Sequence, residues 1–341
     1  MRPVLLPSVR RLWRDRETLQ LGSTPARAVV LAGIDEPTRT VLTLLDGTRN
    51  DRQLLDDAAA RGCPPERTAV LLTLLEDAGA LADASAPVAA AADLRERERA
   101  AADVAALALL RGRTAPDCLA RRRVARVRVV GAGRVGSVVA GLLACAGVGA
   151  VDVDDAGLTR PHDTGPCGPG LDDVGRPRGE AVRDRLVAAS PSVDLLPGAA
   201  HLVVLTPADG ADLETQGAPL GGGVAHLVAE VRETVGVVGP LVLPGSSTCL
   251  RCLELTRSDR DPDWPALSAQ LSQPARAPVA CDGVLAVAVA AQATAQALVA
   301  LDGVAVPASV GATLEMALPD WRWRRRTWSA HPDCGCLQAA G

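Results

Sequence analysis

The chain reads as an α/β protein with a largely parallel sheet, and three observations predict this. First, an apolar run, Val127, Val129 and Val130, leads directly into Gly131, Gly133 and Gly136, and an Ala/Val/Leu helix pattern then runs to Ala146. Second, the following strand ends on Asp154-Asp155, about 20 residues past the glycines, the spacing of a dinucleotide-type β-α-β unit. Third, strand and helix patterns go on alternating: Ala150–Val153, Glu180–Ala189, His201–Thr206, Val224–Glu230 and Gly236–Val238. Alternation of this kind places helices on both faces of the sheet.

The glycine loop justifies the first element chemically. Glycines there permit a tight turn, let backbone approach a phosphate, and allow a helix to pack close to a strand. The helix N-terminus offers free N–H groups and the positive end of its dipole to an anion. A carboxylate ending the second strand suits ribose hydroxyls, so Asp154 and Asp155 join Gly131, Gly133 and Gly136 as candidate cofactor-binding residues.

Residues 1–82 predict a separate small module. Short apolar stretches, Thr18–Leu21 and Ala28–Leu31, precede a helix pattern at Pro37–Leu45. A turn at 46–50 leads to a second helix beginning near Asp51 and ending by Gly62. A third helix runs from Pro64-Pro65 to Ala78, with proline suitably at its start, and Gly79-Ala80-Leu81 opens a short hairpin. This outline is a winged helix-turn-helix. Its third helix is acidic and apolar, without the Arg, Asn or Gln that would read base edges, which favours a peptide- or protein-binding module over a DNA reader. Residues 83–120 read as an Ala/Pro-rich linker and a charged helix with a solvated face. The main domain spans 121–341.

Composition narrows the function classes. With 341 residues there is room for two domains, and 48% hydrophobic content is ample for a core. Phe and Tyr are absent and Trp numbers 5, so the core must be Leu, Val and Ala, and the aromatic platforms of single-strand nucleic-acid binding are missing. Every basic residue is Arg, which removes lysine as nucleophile or phosphate hook. The net charge of −4 predicts no general affinity for nucleic acid or anionic membrane. The start of the chain lacks a secretory pattern, and a cytoplasmic location is expected. The apolar stretch Val284–Leu301 approaches membrane length but contains Gln292 and Gln296, and reads as a buried core helix.

Nine cysteines in such a chain suggest metal or inert thiols before disulfides. Cys249-Leu-Arg-Cys252 and Cys334-Gly-Cys336 are two close pairs about 80 residues apart, the usual way to build a closed tetrahedral zinc site. The turns P-G-S-S-T and H-P-D precede them, and His331 is a reserve ligand. Structural zinc would tie the tail to the domain, with a contribution on the order of 10 kcal/mol. Disulfides or plain buried thiols remain the alternative. Cys63, Cys118 and Cys145 read as packing residues, while Cys167 and Cys281 lack a sequence-placed histidine to activate them.

The stretch V-R-V-V-G-A-G-R-V-G-S-V-V-A-G-L-L-A-C-A-G-V-G, followed by P-G-S-S-T-C-L-R-C and the late Cys pair, resembles the ThiF/MoeB superfamily, relatives of ubiquitin-activating enzymes, over about residues 95–341. The resemblance implies a Rossmann-like domain that binds ATP and Mg²⁺, adenylates a carboxylate of a small protein or peptide, and usually forms a homodimer. It places phosphates on Gly131, Gly133 and Gly136, ribose on Asp154 or Asp155, and zinc on Cys249, Cys252, Cys334 and Cys336. Three family features differ. The N-x-x-R-Q motif is replaced by A-G-L-T-R-P-H-D-T-G, the phosphate lysine falls on Arg178, and the Mg²⁺-binding aspartate has only Asp209 near its place.

One branch of that superfamily lacks the adenylation set, carries an N-terminal PqqD-like winged helix, and pairs with YcaO-type cyclodehydratases in azole and thiopeptide biosynthesis. L-T-L-L-D-G-T-R-N-D-R-Q-L-L-D-D-A is similar to such a module. The resemblance implies a protein that captures a precursor leader peptide by strand addition and presents it to a YcaO-type enzyme, without adenylating. An active adenylyltransferase using Arg178, Asp155 and Asp209 is the alternative. A nicotinamide- or flavin-dependent oxidoreductase and a DNA-binding regulator are weaker readings.

Overall fold

The computed structural model describes residues 1–84, 94–207, 223–273 and 278–337. Asp209 and most of the 83–93 linker lie outside them. The chain divides into two compact units, Met1–Ala120 and Arg121–Gly341.

In the first unit, strands β1 (Pro3–Leu5), β2 (Arg11–Trp13), β3 (Leu19–Leu21) and β4 (Val29–Leu31) precede helices α1 (Glu36–Leu44), α2 (Asp51–Ala60) and α3 (Pro65–Asp77), then β5 (Leu81–Asp83) and α4 (Leu94–Arg111). The division falls inside α5 (Ala115–Val124). Local chemistry sets the helix starts. Asp35 caps α1 by accepting the Thr38 amide, and Asn50 and Gln53 cap α2 reciprocally. Strands β2, β3 and β4 form one antiparallel sheet in that order. β5 pairs antiparallel with β1, Leu81 opposite Leu5. The strand after the third helix is thus taken up by the N-terminal strand, whereas the sequence pattern predicts a hairpin at Gly79-Ala80-Leu81. Leu5, Leu19, Leu21, Val41, Leu54 and Leu75 close a core that draws on α1, α2 and α3.

The second unit is built on a seven-stranded sheet. Its elements are β6 (Arg126–Val130), α6 (Gly136–Cys145), β7 (Ala150–Asp154), α7 (Arg178–Ala189), β8 (Leu202–Leu205), β9 (Ala225–Arg232), β10 (Val235–Val242), α8 (Leu250–Arg260), α9 (Trp264–Leu271), α10 (Gly283–Asp302), β11 (Ala312–Ala317) and β12 (Arg324–Thr327). The strand order is β12-β11-β10-β9-β8-β6-β7. β7, β6, β8 and β9 are parallel, as the alternation predicts. From β9 to β12 the ladders are antiparallel, which the sequence pattern does not announce. For β9 and β10 the reason is the two-residue link Glu233-Thr234, with both residues at positive φ (47° and 71°). Such a link makes a tight hairpin and leaves no length for a crossover helix, and it lacks the Asn-Gly or Asp-Gly that would mark it.

Leu, Val and Ala do fill the core, as the composition requires. Val127, Val129, Leu143, Val151, Val204, Leu227, Leu241 and Val289 are all fully enclosed. The apolar helix α10 belongs to this core. It is capped by Asp282, whose side chain accepts the Val284 and Leu285 amides, and it ends at Gly303 in the left-handed conformation. Gln296 is satisfied by accepting the Ser309 amide at 3.0 Å. At its C-terminal end Asp302 accepts from Nε and Nη2 of buried Arg122, at 2.7 and 2.8 Å.

The cap of α1 also makes a pH prediction. The Thr38 hydroxyl and amide, with Arg67, hold the Asp35 carboxyl down at about 2. Its folded value lies below the ordinary unfolded value of about 3.9, so its contribution is complete above that value and is lost as pH falls toward 2. Acid unfolding of Asp35→Asn, followed by circular dichroism, should be less steep over that window than that of the parent chain; parallel curves would contradict the assignment.

Candidate functional site

The chain passes from β6 through α6 to β7 on one side of β6, then returns through α7 to β8 on the other. The sheet therefore has a topological switch point between β6 and β8, and ligands in open α/β sheets sit outside the carboxyl ends of strands at such a point. Three glycines and Thr206 occupy it. Gly131 has φ +94°, and a Cβ there would lie 2.1 Å from the Thr206 carbonyl oxygen. A Cβ on Gly136 would lie 2.0 Å from the Gly131 carbonyl and 2.3 Å from the Thr206 hydroxyl. That hydroxyl donates to the Gly131 carbonyl at 2.7 Å. Two of the three glycines are thus required by the protein's own packing, while Gly133 lines an adjacent cavity.

The charged residues of the site are brought together around Arg178, which is buried. Its Nε and Nη2 meet Asp155 at 2.9 and 3.2 Å, and its Nη1 meets Asp163 at 3.1 Å. Asp155 accepts the amides of Ala132 (2.6 Å) and Gly157 (2.7 Å) as well. The carboxylate of Asp155 therefore receives a glycine-loop N–H group and the Arg178 guanidinium together. Asp163, which the sequence reading did not single out, lies in the stretch that stands where the resembled family has N-x-x-R-Q. Asp154 ends β7 with its side chain exposed, and its carbonyl accepts the Gly131 amide at 2.9 Å.

The cavity beside the loop measures about 140 Å³ and is lined by Gly133, Arg134, His162, Asp163, Glu230 and Cys281 among others. Arg134 donates to the Cys281 carbonyl, joining the loop to the segment ahead of α10. Burial pushes the Cys281 thiol up, against the pull of Arg134, which opposes a nucleophilic role. Cys167 is exposed, at positive φ. These residues do not fit ATP-Mg²⁺ as they stand. The loop amide of Ala132 is engaged by Asp155 and the cation of Arg178 by Asp155 and Asp163, the carboxylates of Asp163 and Glu230 line the cavity, and the cavity falls below the roughly 300 Å³ of ordinary ligand pockets.

The four cysteines singled out from the sequence do converge. The Sγ atoms of Cys249, Cys252, Cys334 and Cys336 all lie within 4.8 Å of one another and can hold a metal ion. Individual separations are 3.8 Å for Cys249–Cys252 and 3.5 Å for Cys249–Cys334 and Cys252–Cys336, far beyond a disulfide bond of about 2.05 Å. The P-G-S-S-T turn places the first pair, with Leu243 donating its amide to Ser247 at 2.7 Å and Thr248 bonded to the Trp328 carbonyl at 3.0 Å. Burial disfavours the Cys252 thiolate, but amide donation, from His331 above all, outweighs it and brings the thiol down to about 7. His331 is not a ligand. Its ring bonds Asp259 at 2.8 Å and the Asp333 amide at 3.1 Å, so the reserve role expected of it is replaced by support of the cysteine turn.

Removing the central cation should expose how much the site depends on it. Arg178→Ala leaves two carboxylates without their partner and is expected to lower stability by about 3–5 kcal/mol in urea unfolding. Arg178→Lys, which keeps the charge but not the planar fork, should fall between. Parental stability in both variants would refute the arrangement.

Comparison with known proteins places this geometry. Residues 108–206 match the model of the ThiF family. No curated protein matches the chain by sequence. Among solved structures, E. coli MccB bound to MccA-N7isoASN superposes with a TM-score of 0.72 at 14% identity, covering 99% of each chain. E. coli MccB with ATP gives 0.72 at 14%, covering 98% of this chain and 99% of that one. PaaA gives 0.67 at 17%, covering 94% and 99%. At such identities the likeness is one of fold. Residues 108–206 are thus similar to the ThiF family, within a chain that shares its overall fold with MccB and PaaA.

Proposed function

We propose that this chain is a ThiF-like, leader-peptide-binding partner protein, which captures a ribosomally made precursor peptide and presents it to a YcaO-type cyclodehydratase in the cytoplasm without adenylating it. The observation that carries the reading is the engagement of Arg178 by Asp155 and Asp163, which leaves the glycine loop as a structural turn. MccB, of the same fold, has been crystallised with MccA. In the first unit, read as the winged PqqD-like module, β2 and β4 are the outer strands of the three-stranded sheet, and an extended leader would add to such an edge through backbone hydrogen bonds. A homodimer accords with the superfamily resembled.

A second reading, an ATP-dependent adenylyltransferase, draws on MccB having been crystallised with ATP and with AMPCPP. It would require Arg178 to leave Asp155. Titration of the purified chain with precursor peptides should give saturable binding that scrambled peptides lack, while ATP–pyrophosphate exchange stays silent. Exchange activity, abolished by Arg178→Ala, would instead establish the second reading; failure of every native leader to outbind its scramble would remove the first.

The metal is proposed to be structural zinc. Four thiolates at about 2.3 Å from a tetrahedral zinc stand about 3.8 Å apart, close to the separations found, and they leave no open position for catalysis. Purified protein should carry one zinc per chain by atomic emission. Chelation or Cys252→Ser should release it and lower the melting temperature; a metal-free protein of unchanged melting temperature would contradict the proposal.

A further inference from the structure

We propose that the outer edge of β12, with the arginines gathered at Trp328, is a docking surface for an extended acidic peptide segment. This is independent of the function proposed above.

Trp328 is buried and fixed at two points, one on its indole and one on its main chain. Its Nε1 donates to the Thr313 hydroxyl at 3.0 Å, and its carbonyl accepts from Thr248 at 3.0 Å. Three guanidinium groups surround the ring: Arg326 at 4.4 Å from its centroid, Arg257 at 5.6 Å and Arg260 at 5.7 Å. Arg257 is neutralised by Glu254 at 2.5 Å. Arg260 and Arg326 face no carboxylate within ion-pair distance among the described residues. Two exposed cations are therefore held in place by stacking, with no internal anion to answer them, in a chain whose net charge is −4. Cations fixed in advance lose less side-chain freedom when an anion arrives.

The backbone beside them is also open. β12 is the terminal strand of the sheet, and all four of its residues are exposed. Trp328 donates its amide to the Gly311 carbonyl, so by antiparallel alternation Arg326 and Arg324 turn their peptide groups toward β11, while Arg325 and Thr327 turn theirs outward. An incoming strand would bond to Arg325 and Thr327, and its acidic side chains would meet Arg326 and Arg260. Arginines on an edge strand can serve simply to repel other strands. That role calls for no partnerless pair stacked on a buried ring. A nucleic acid is disfavoured because the indole is enclosed and unavailable to bases.

Fluorescence anisotropy with the full-length protein decides this. The probes are labelled peptides of about eight residues alternating Thr with Glu, with Gln or with Lys, and a labelled oligouridylate. The Glu peptide should bind saturably and better than the others. Two variants, first shown by circular dichroism to be folded, should each weaken it: Arg260→Gln with Arg326→Gln by about tenfold, and Thr327→Pro, which deletes an outward N–H without touching a charge. No saturable binding, equal binding of the Gln peptide, preference for oligouridylate, or a loss in only one of the two variants would overturn the proposal.

Discussion

Everything at the switch point depends on the absence of two Cβ atoms. Gly131 and Gly136 let the turn after β6 close against the Thr206 carbonyl and hydroxyl at contacts that a methyl group would violate by about an ångström. That close approach seats the start of α6 against the end of β8, opens the cavity lined by Gly133, and brings Asp155 within reach of the Ala132 amide. The glycine pattern here is first a packing requirement; any ligand chemistry is built on top of it.

Charge decides what that scaffold does. The chain uses no lysine, and the cation buried at the β7 end of the site is a planar guanidinium. A guanidinium offers several donors in a fixed fork, and Arg178 uses them on two carboxylates, both buried as it is. Buried charges of this kind are costly unless their partners are complete, and here Asp155 and Asp163 complete those of Arg178. A glycine loop whose amide already serves a carboxylate holds its shape without any ligand.

The cysteine cluster is a separate feature of the same unit. Cys249 and Cys252 open α8, while Cys334 and Cys336 lie close to the C-terminus, so a metal held there closes a loop of more than eighty residues. The same turn, through Thr248, fixes Trp328 and hence the position of β12. Cysteine cluster, buried indole and basic sheet edge form one continuous piece of structure.

Much was legible in the sequence because it is local. The strand–glycine–helix–strand unit, the capped helices of the first unit, the apolar α10 and the two cysteine pairs each lie within a short window whose pattern reflects backbone geometry or bond spacing. The change from parallel to antiparallel pairing at β9 and β10 was not legible, because it hinges on positive φ at Glu233 and Thr234, residue types that carry no such signal. β12 was not legible either, since a run of arginines at an exposed edge has no apolar alternation to mark it as a strand. The role of Arg178 required distance in space. Position alone put it where a phosphate-binding lysine belongs, and only folding brought Asp155 and Asp163 onto its three nitrogens. The sequence by itself determined that this chain would build a glycine-turn α/β unit with a four-cysteine cluster. The tertiary structure decided that the turn's donors face carboxylates of the same chain, because pairing depends on which groups the strands deliver to one point and not on their order along the backbone.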